Sequence, residues 1–488
     1  MKRYVIGLDI GTTCAKALAV DEGGAVVSRG SQGYDLITNG RRIEQDPADW
    51  TRAAAAAVRQ AAAGLDGQIA GLSMSTQGGS TVAVDASGAP IGRALTWMDS
   101  RAFAEADEVA GELGDEYVYR VSGWKINPSL DAAKIRHMKK DPAYARAARY
   151  LTTLEILNDY LCGNPAIDPT NAAIRQLYNV EENRWDEKLL AAAHLTEAEL
   201  PFVLPTGALV GRLRARAADE LGLPAGVPVY NGAHDQYCAA IGAGSVQGGD
   251  MLLSAGTTWV LMGISHAPLF TPSYIAPGKH PVPGLYGAIA SLTGSGASMQ
   301  WFKNNFLPEE FGDMDRVAET RREKAAELCF YPYLAGANYP LWVPNARGAF
   351  TGITLEHDRF DFARAIMEGV AFGVRRGIAD FRENGTEIRK ITIIGGAAKS
   401  ATWCQIIADA AGVTIERLNQ ADVCALGAAA IALCGAGIYP DYQAAAGAMV
   451  HPQAQYAPDA RAAAWYDAKF QKFDSMWRHM RKYCEENA

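Results

Sequence analysis

The chain has 488 residues, of which 49% are apolar and 20% charged, and carries a formal net charge of −8. That length exceeds what one hydrophobic core normally supports, so two domains of roughly 200 to 250 residues with a cleft between them are expected. The acidic balance, with no long Lys/Arg block, argues against a nucleic-acid-binding surface, because that affinity rests on cationic neutralisation of phosphates.

Eight cysteines stand singly, without paired CxxC spacing, which suits free thiols in a reducing compartment and makes cytoplasm the expected location. The amino terminus runs straight into a strand too short for a signal-peptide core. The least polar stretch, residues 424–439, is too short to span a membrane and reads as a buried helix packed closely on a neighbour.

In chain order, residues 5–9, 14–20 and 25–28 read as an antiparallel meander, with a hairpin turn at 21–24. Asp46 and Pro47 then open an alanine-rich helix as cap and first-turn residue. A strand near 69–75, a helix at 131–139 and a strand at 227–231 continue an α/β pattern. At residue 250 the opening pattern recurs: "MLLSAGTTWVLMGIS" is again a strand, a Gly-Thr-Thr turn and a strand, which predicts a duplicated architecture. A long amphipathic helix ending near Gly385, a strand–glycine turn–helix unit at 391–412 and a charged tail helix from about 459 complete the chain. The tail reads as a solvated cap.

A Gly-Thr-Thr turn between strands offers backbone N–H groups and hydroxyls to a phosphate oxygen, and glycine permits close approach. Gly11, Thr12 and Thr13 form the first such turn, and Gly256, Thr257 and Thr258 the second. Asp9 beside the first would repel phosphate unless a divalent cation lay between them, which points to Mg²⁺ with a nucleotide. Asp235, at a strand-to-helix junction, is the nearest acidic candidate in the second region, with a helix cap as its alternative role. His234-Asp235 lacks the further ligands of a metal-dependent phosphohydrolase. "GGAAKS" at 395–400 departs from a P-loop because Ala398 replaces the glycine before lysine; Gly395 and Gly396 still leave room for a flat base.

Together "GLDIGTT", "LTWMDSRA", "NGAHDQ", "SAGTTWV", "EGVAFGVR" and "IIGGAAKSATWCQIIAD" resemble the FGGY family of carbohydrate kinases, within the actin-like and sugar-kinase ATPase superfamily. The resemblance implies an α/β fold of two ribonuclease-H-like domains, residues 1–246 binding sugar and 247–488 binding ATP, around a central cleft. It implies Asp235 as catalytic base and, with Asp9, as a neighbour of Mg²⁺. Thr12, Thr13, Lys16, Gly11 and the 256–258 turn would meet the phosphates, and Gly395, Gly396, Ala397 and Ser400 the adenosine. Gln77, Gly78, Trp97, Asp99, Arg101 and Gln236 would line the sugar site.

The xylulokinase-like branch is the nearest match, yet the chain reads Ser75-Thr76-Gln77-Gly78-Gly79 where that branch carries a Met-His pair. An imidazole for a sugar hydroxyl is thereby lost, and Gln77 would bond a different hydroxyl pattern. Lys134 matches a signature lysine and reads as structural. The expected activity is ATP-dependent phosphorylation of a ketopentose such as xylulose, with ribulose, glycerol, erythritol or gluconate as alternatives. A nucleotide-gated interaction protein of the actin or Hsp70 type is the reading from another class. The expected partner is a small sugar or polyol, without nucleic acid or membrane; a homodimer stays open.

Overall fold

The computed structural model describes residues 2–292, 294–307, 311–337, 339, 343–418 and 420–486, without the side chains of 311–314. Two seven-stranded sheets carry the chain. In the first, β1 (Arg3–Ile10), β2 (Cys14–Asp21) and β3 (Val26–Gly33) form the antiparallel meander. β4 (Gln68–Thr76) joins β1 in parallel, followed by β5 (Leu209–Arg212), β6 (Pro228–Tyr230) and β7 (Ala233–His234), giving the order β5-β6-β4-β1-β2-β3 with β7 also on β4. The predicted third strand is longer than expected. The turn before it uses one positive-φ glycine, Gly24, and the Asp21 carboxylate accepts from the Gly23 and Ala25 amides.

The second sheet repeats this plan. β8 (Asp250–Ala255), β9 (Trp259–Ser265), β10 (Ala276–Lys279) and β11 (Tyr286–Leu292) precede β12 (Lys390–Ile394), β13 (Ile415–Leu418) and β14 (Pro452–Tyr456). Their order is β10-β11-β9-β8-β12-β13-β14, so β8 stands where β1 stands, with an antiparallel partner on one side and a parallel one on the other. Each Gly-Thr-Thr turn therefore leaves the carboxyl end of the central strand of its own sheet. In open α/β sheets that is where ligands bind.

Helix α1 (Pro47–Ala62) starts as expected, with the Asp46 carboxylate accepting from the Ala48 amide at 2.9 Å. α2 (Asp131–Lys140) and the short α3 (Pro169–Ile174) follow in the first half. α4 (Asp235–Gly242) follows β7, and α5 (Ser295–Phe306) follows β11. α6 (Arg359–Glu383), α7 (Ala401–Ala411), α8 (Val423–Gly435) and α9 (Ala460–Glu486) complete the second half.

Helices α4 and α8 hold the two sheets together. Val5 and Leu18 of the first sheet, Leu252 and Met262 of the second, and the buried faces of both helices belong to one apolar cluster. The approach is close because small residues line it: a Cβ on Gly427 would lie 1.9 Å from the Cys238 carbonyl oxygen, and one on Gly7 2.1 Å from that of Ala425. This is the tightly packed helix expected at 424–439, and it rests on the first sheet although it lies late in the chain. Larger side chains there would force the sheets apart.

The tail helix corrects its expected role. Tyr466, Phe473 and Trp477 are buried in the second core, and Lys469 sits buried against Glu368 at 2.5 Å. Aromatic residues at near-helical spacing form a stripe that the mixed charge of the segment conceals.

Candidate active site

The first turn is closed by its own backbone. Gly11 N–H donates to the Cys14 carbonyl at 3.1 Å, so this amide is spent within the turn instead of facing outward as expected. Tyr34 braces it, its hydroxyl donating to the Gly11 carbonyl and its amide to that of Thr13 at 3.0 Å. Thr12 and Thr13 keep accessible positions at the apex. Asp9, the penultimate residue of β1, stands opposite Lys16 on β2. Its Oδ1 accepts from the Ser75 hydroxyl at 2.7 Å. Burial pushes the Asp9 carboxyl up to about 7 against that hydrogen bond, and the negative charge of Asp235 acts in the same direction as burial. The two carboxylates thus share a neighbourhood. Lys16 reaches Asp422 at 2.9 Å, where Arg29 joins the pair at 3.2 Å.

Gln45 carries a role that no local sequence signal marks. Fully buried at the end of a short strand, it donates through Nε2 to the Thr12 carbonyl and accepts through Oε1 from Gln77 Nε2 at 2.7 Å and Trp50 Nε1 at 3.3 Å. One amide therefore joins the phosphate turn to the loop expected to hold sugar. Trp97 adds a second link: it is 44% exposed rather than a core aromatic, and its Nε1 donates to Thr12 Oγ1 at 3.2 Å. Gln77 is buried with Oε1 lacking a protein partner, as is Gln236 Oε1.

Lys134 lies beneath both loops. Its fully buried ammonium donates to the carbonyls of Gly79, Leu95 at 3.1 Å and Thr96 at 3.2 Å, and burial pulls it down to about 8. Asp99 and Arg101 form a largely enclosed ion pair at 2.6 Å that also takes in Glu44 at 2.6 Å, so both charges are already matched. The pair is enclosed and is not a surface ion pair. Asp235 opens α4 one residue after the cap position, held by His234, and its carboxylate caps nothing. Its side chain stays 27% exposed.

The second turn carries exposed Gly256, Thr257 and Thr258. Two glycines bring other segments against it. Gly395 has φ +93° and a Cβ there would lie 2.7 Å from the Ala255 carbonyl oxygen; a Cβ on Gly296 would lie 2.0 Å from that of Gly256. The 395–396 turn and the start of α5 thereby border the 256–258 turn, and Ala397 follows, buried. Gly296 was not singled out from the sequence, although "GSGAS" is itself a small-residue signal. Ser400 caps α7, accepting from the Trp403 amide at 2.8 Å while donating to Asp315.

The family of the chain follows from comparison with known proteins. Residues 4–242 match the N-terminal domain of the FGGY family of carbohydrate kinases and residues 251–436 its C-terminal domain. Xylulose kinase of Staphylococcus epidermidis is 29% identical over 493 residues, covering 99% of this chain and 98% of that one. Gluconokinase of Bacillus subtilis is 27% identical over 430 residues, covering 84% and 83%. The structure of xylulose kinase from Rhodospirillum rubrum superposes with a TM-score of 0.93 at 27% identity, covering 99% of this chain and 100% of that one.

The chain belongs to the FGGY family of carbohydrate kinases: it is a sugar kinase with the two-domain actin-like ATPase fold.

Proposed function

We propose that the protein transfers the γ-phosphoryl group of ATP to a hydroxyl of a ketopentose such as xylulose, with Asp235 as the base. The observation that carries this reading is the Gln45 bridge between the Thr12 carbonyl and Gln77, because it ties the phosphate turn to a loop with an unfilled buried acceptor. Residues 1–246 would bind the sugar and 247–488 the nucleotide.

The chemistry follows from the residues. Asp235 accepts the proton of the attacking hydroxyl, whose oxygen forms the new bond to phosphorus as the bond to ADP breaks. Thr12, Thr13 and Lys16 on one side, in a turn that Gly11 shapes, and Gly256, Thr257 and Thr258 on the other, orient the triphosphate. Gly395, Gly396, Ala397 and Ser400 border the base and ribose. Among the described residues no group of three or more acidic, His or Cys side chains forms a closed metal cage. Asp9 with Asp235 fits the one or two carboxylates that Mg²⁺ uses when water and phosphate complete its shell. Held there, Mg²⁺ would supply charge neutralisation across the phosphates.

A neutral sugar suits the site better than an aldonate, since the Arg101 cation is already matched by Asp99 and Glu44 and a carboxylate would need a free one. The free state of all eight cysteines fits a cytoplasmic setting. No helix among the described residues is long and apolar enough to cross a membrane.

An ADP-release screen over D-xylulose, L-xylulose, D-ribulose, L-ribulose, glycerol, erythritol and gluconate tests the reading. Release stimulated by a ketopentose supports it. A switch protein of the actin or Hsp70 type would release ADP without regard to sugar.

A further inference from the structure

Loop 75–79 contributes no imidazole of its own, but the structure brings one to it from another segment. His234, only 6% exposed, lays its ring on Gly78: a Cβ at residue 78 would lie 2.4 Å from the His234 Cδ2 and 2.8 Å from its Nε2. Gly78 and His234 are thus sterically matched, and the glycine leaves the space that the ring fills. The backbone of His234 is separately anchored, its N–H donating to Thr170 Oγ1 at 2.8 Å, so the ring is not needed to hold the strand end.

The polar contacts of the ring are selective. Nε2 lies 3.2 Å from Asp235 Oδ1, while the buried Nδ1 has no protein partner. The ring nitrogen thus stands against Oδ1 at ion-pairing distance, and Oδ2 is left as the oxygen free to take a proton. A carboxylate on the first turn of a helix and partly exposed can otherwise rotate about its terminal torsion, which is broad and roughly two-fold. A buried ring nitrogen packed 3.2 Å from one oxygen restricts that freedom.

We infer that His234 is a positioning residue that fixes the Asp235 carboxylate for proton abstraction, and that Gly78 is glycine in order to seat it. This rests on the reading of Asp235 as the base. Hydroxyl-to-phosphorus alignment is sensitive to small displacements, so losing the hold acts on turnover more than on nucleotide binding.

Kinetics with D-xylulose and ATP test the inference through His234→Ala, His234→Gln, Gly78→Ala and the double variant Gly78→Ala/His234→Ala. His234→Ala is expected to lower kcat by about 10- to 100-fold, with the KM for ATP and calorimetric nucleotide affinity unchanged. His234→Gln, whose amide can donate to the same oxygen, should recover most of that loss, which a purely space-filling role would not predict. Gly78→Ala, which pushes the ring away without removing it, should lower kcat in the parent chain and add little in the His234→Ala background; such non-additivity marks coupled residues. It also serves should His234→Ala fail to fold. A kcat within twofold of the parent for both His234→Ala and Gly78→Ala, or fully additive losses, overturns the inference. Asp235→Asn run alongside separates the two levels: near-normal turnover there removes Asp235 as base, whereas an inactive Asp235→Asn with a fully active His234→Ala removes only His234.

Discussion

The indole Nε1 of Trp97 donates to Oγ1 of Thr12 at 3.2 Å, so a half-exposed aromatic of the sugar-side loop touches the first phosphate turn. On the proposed reading, this contact links the sugar site to the phosphate turn. Trp97→Phe removes the donor and keeps the aromatic wall. One neutral hydrogen bond contributes about 0.5–1.5 kcal/mol, so steady-state kinetics should show a several-fold loss in kcat/KM with little change in melting temperature. An unaltered kcat/KM would detach Trp97 from the site.

Gln45→Leu should act more broadly. It leaves the Thr12 carbonyl, Gln77 Nε2 and Trp50 Nε1 without the partner they now share. Each buried polar group left unsatisfied costs about 1–3 kcal/mol. Thermal unfolding should shift down by several degrees, and KM should rise for sugar and ATP together. A rise confined to one substrate would mean that the amide does not couple the loops.

The glycines of the nucleotide side separate fold from ligand. A Cβ on Gly256 meets nothing closer than 3.8 Å, whereas one on Gly395 would press on the Ala255 backbone in a positive-φ conformation. Gly256→Val should therefore fold normally and lose ATP affinity by calorimetry, because the side chain fills the approach to phosphate. Gly395→Val should lose stability as well. Unchanged ATP affinity in Gly256→Val would count against the second turn as a phosphate cradle.

His280 sets an acid limb on stability. It is buried, Nδ1 accepting from the Val282 amide at 3.1 Å, and burial pulls its value down to about 3. Below the ordinary histidine value of about 6.5 the unfolded chain takes up a proton that the folded chain refuses, so stability is full above about 6.5 and falls as pH drops toward 3. The slope from this one group reaches at most about 1.4 kcal/mol per pH unit. Urea unfolding between pH 7 and pH 5 should show it. His280→Gln, which keeps an acceptor but cannot titrate there, should flatten that limb; an identical slope in both chains would exclude His280 as its source.

Much of the fold could be read ahead because its signals are local. Asp46-Pro47 marked the start of α1, and two Gly-Thr-Thr turns between apolar runs marked two sheets of one plan. Tertiary matches were harder. The role of Gln45 depends on three partners, two of them more than thirty residues away, and the Asp99–Arg101 pair is an enclosed network only because Glu44 reaches it from a strand elsewhere in the chain. Charged residues between Tyr466, Phe473 and Trp477 hid the buried face of α9. His234 offers in sequence only a pairing with Asp235 that lacks the further ligands of a metal site, and nothing in the chain order places it over Gly78.

The central claim is that both Gly-Thr-Thr turns grip one nucleotide while Asp235 faces the acceptor hydroxyl. A crystal structure with a non-hydrolysable ATP analogue, Mg²⁺ and the sugar that gives the fastest turnover tests it most directly. The account predicts the β- and γ-phosphates between residues 11–13 and 256–258, with one sugar hydroxyl about 2.6–3.2 Å from the Asp235 carboxylate. Phosphates held by one turn alone, or a bound sugar with no hydroxyl near Asp235, would contradict it.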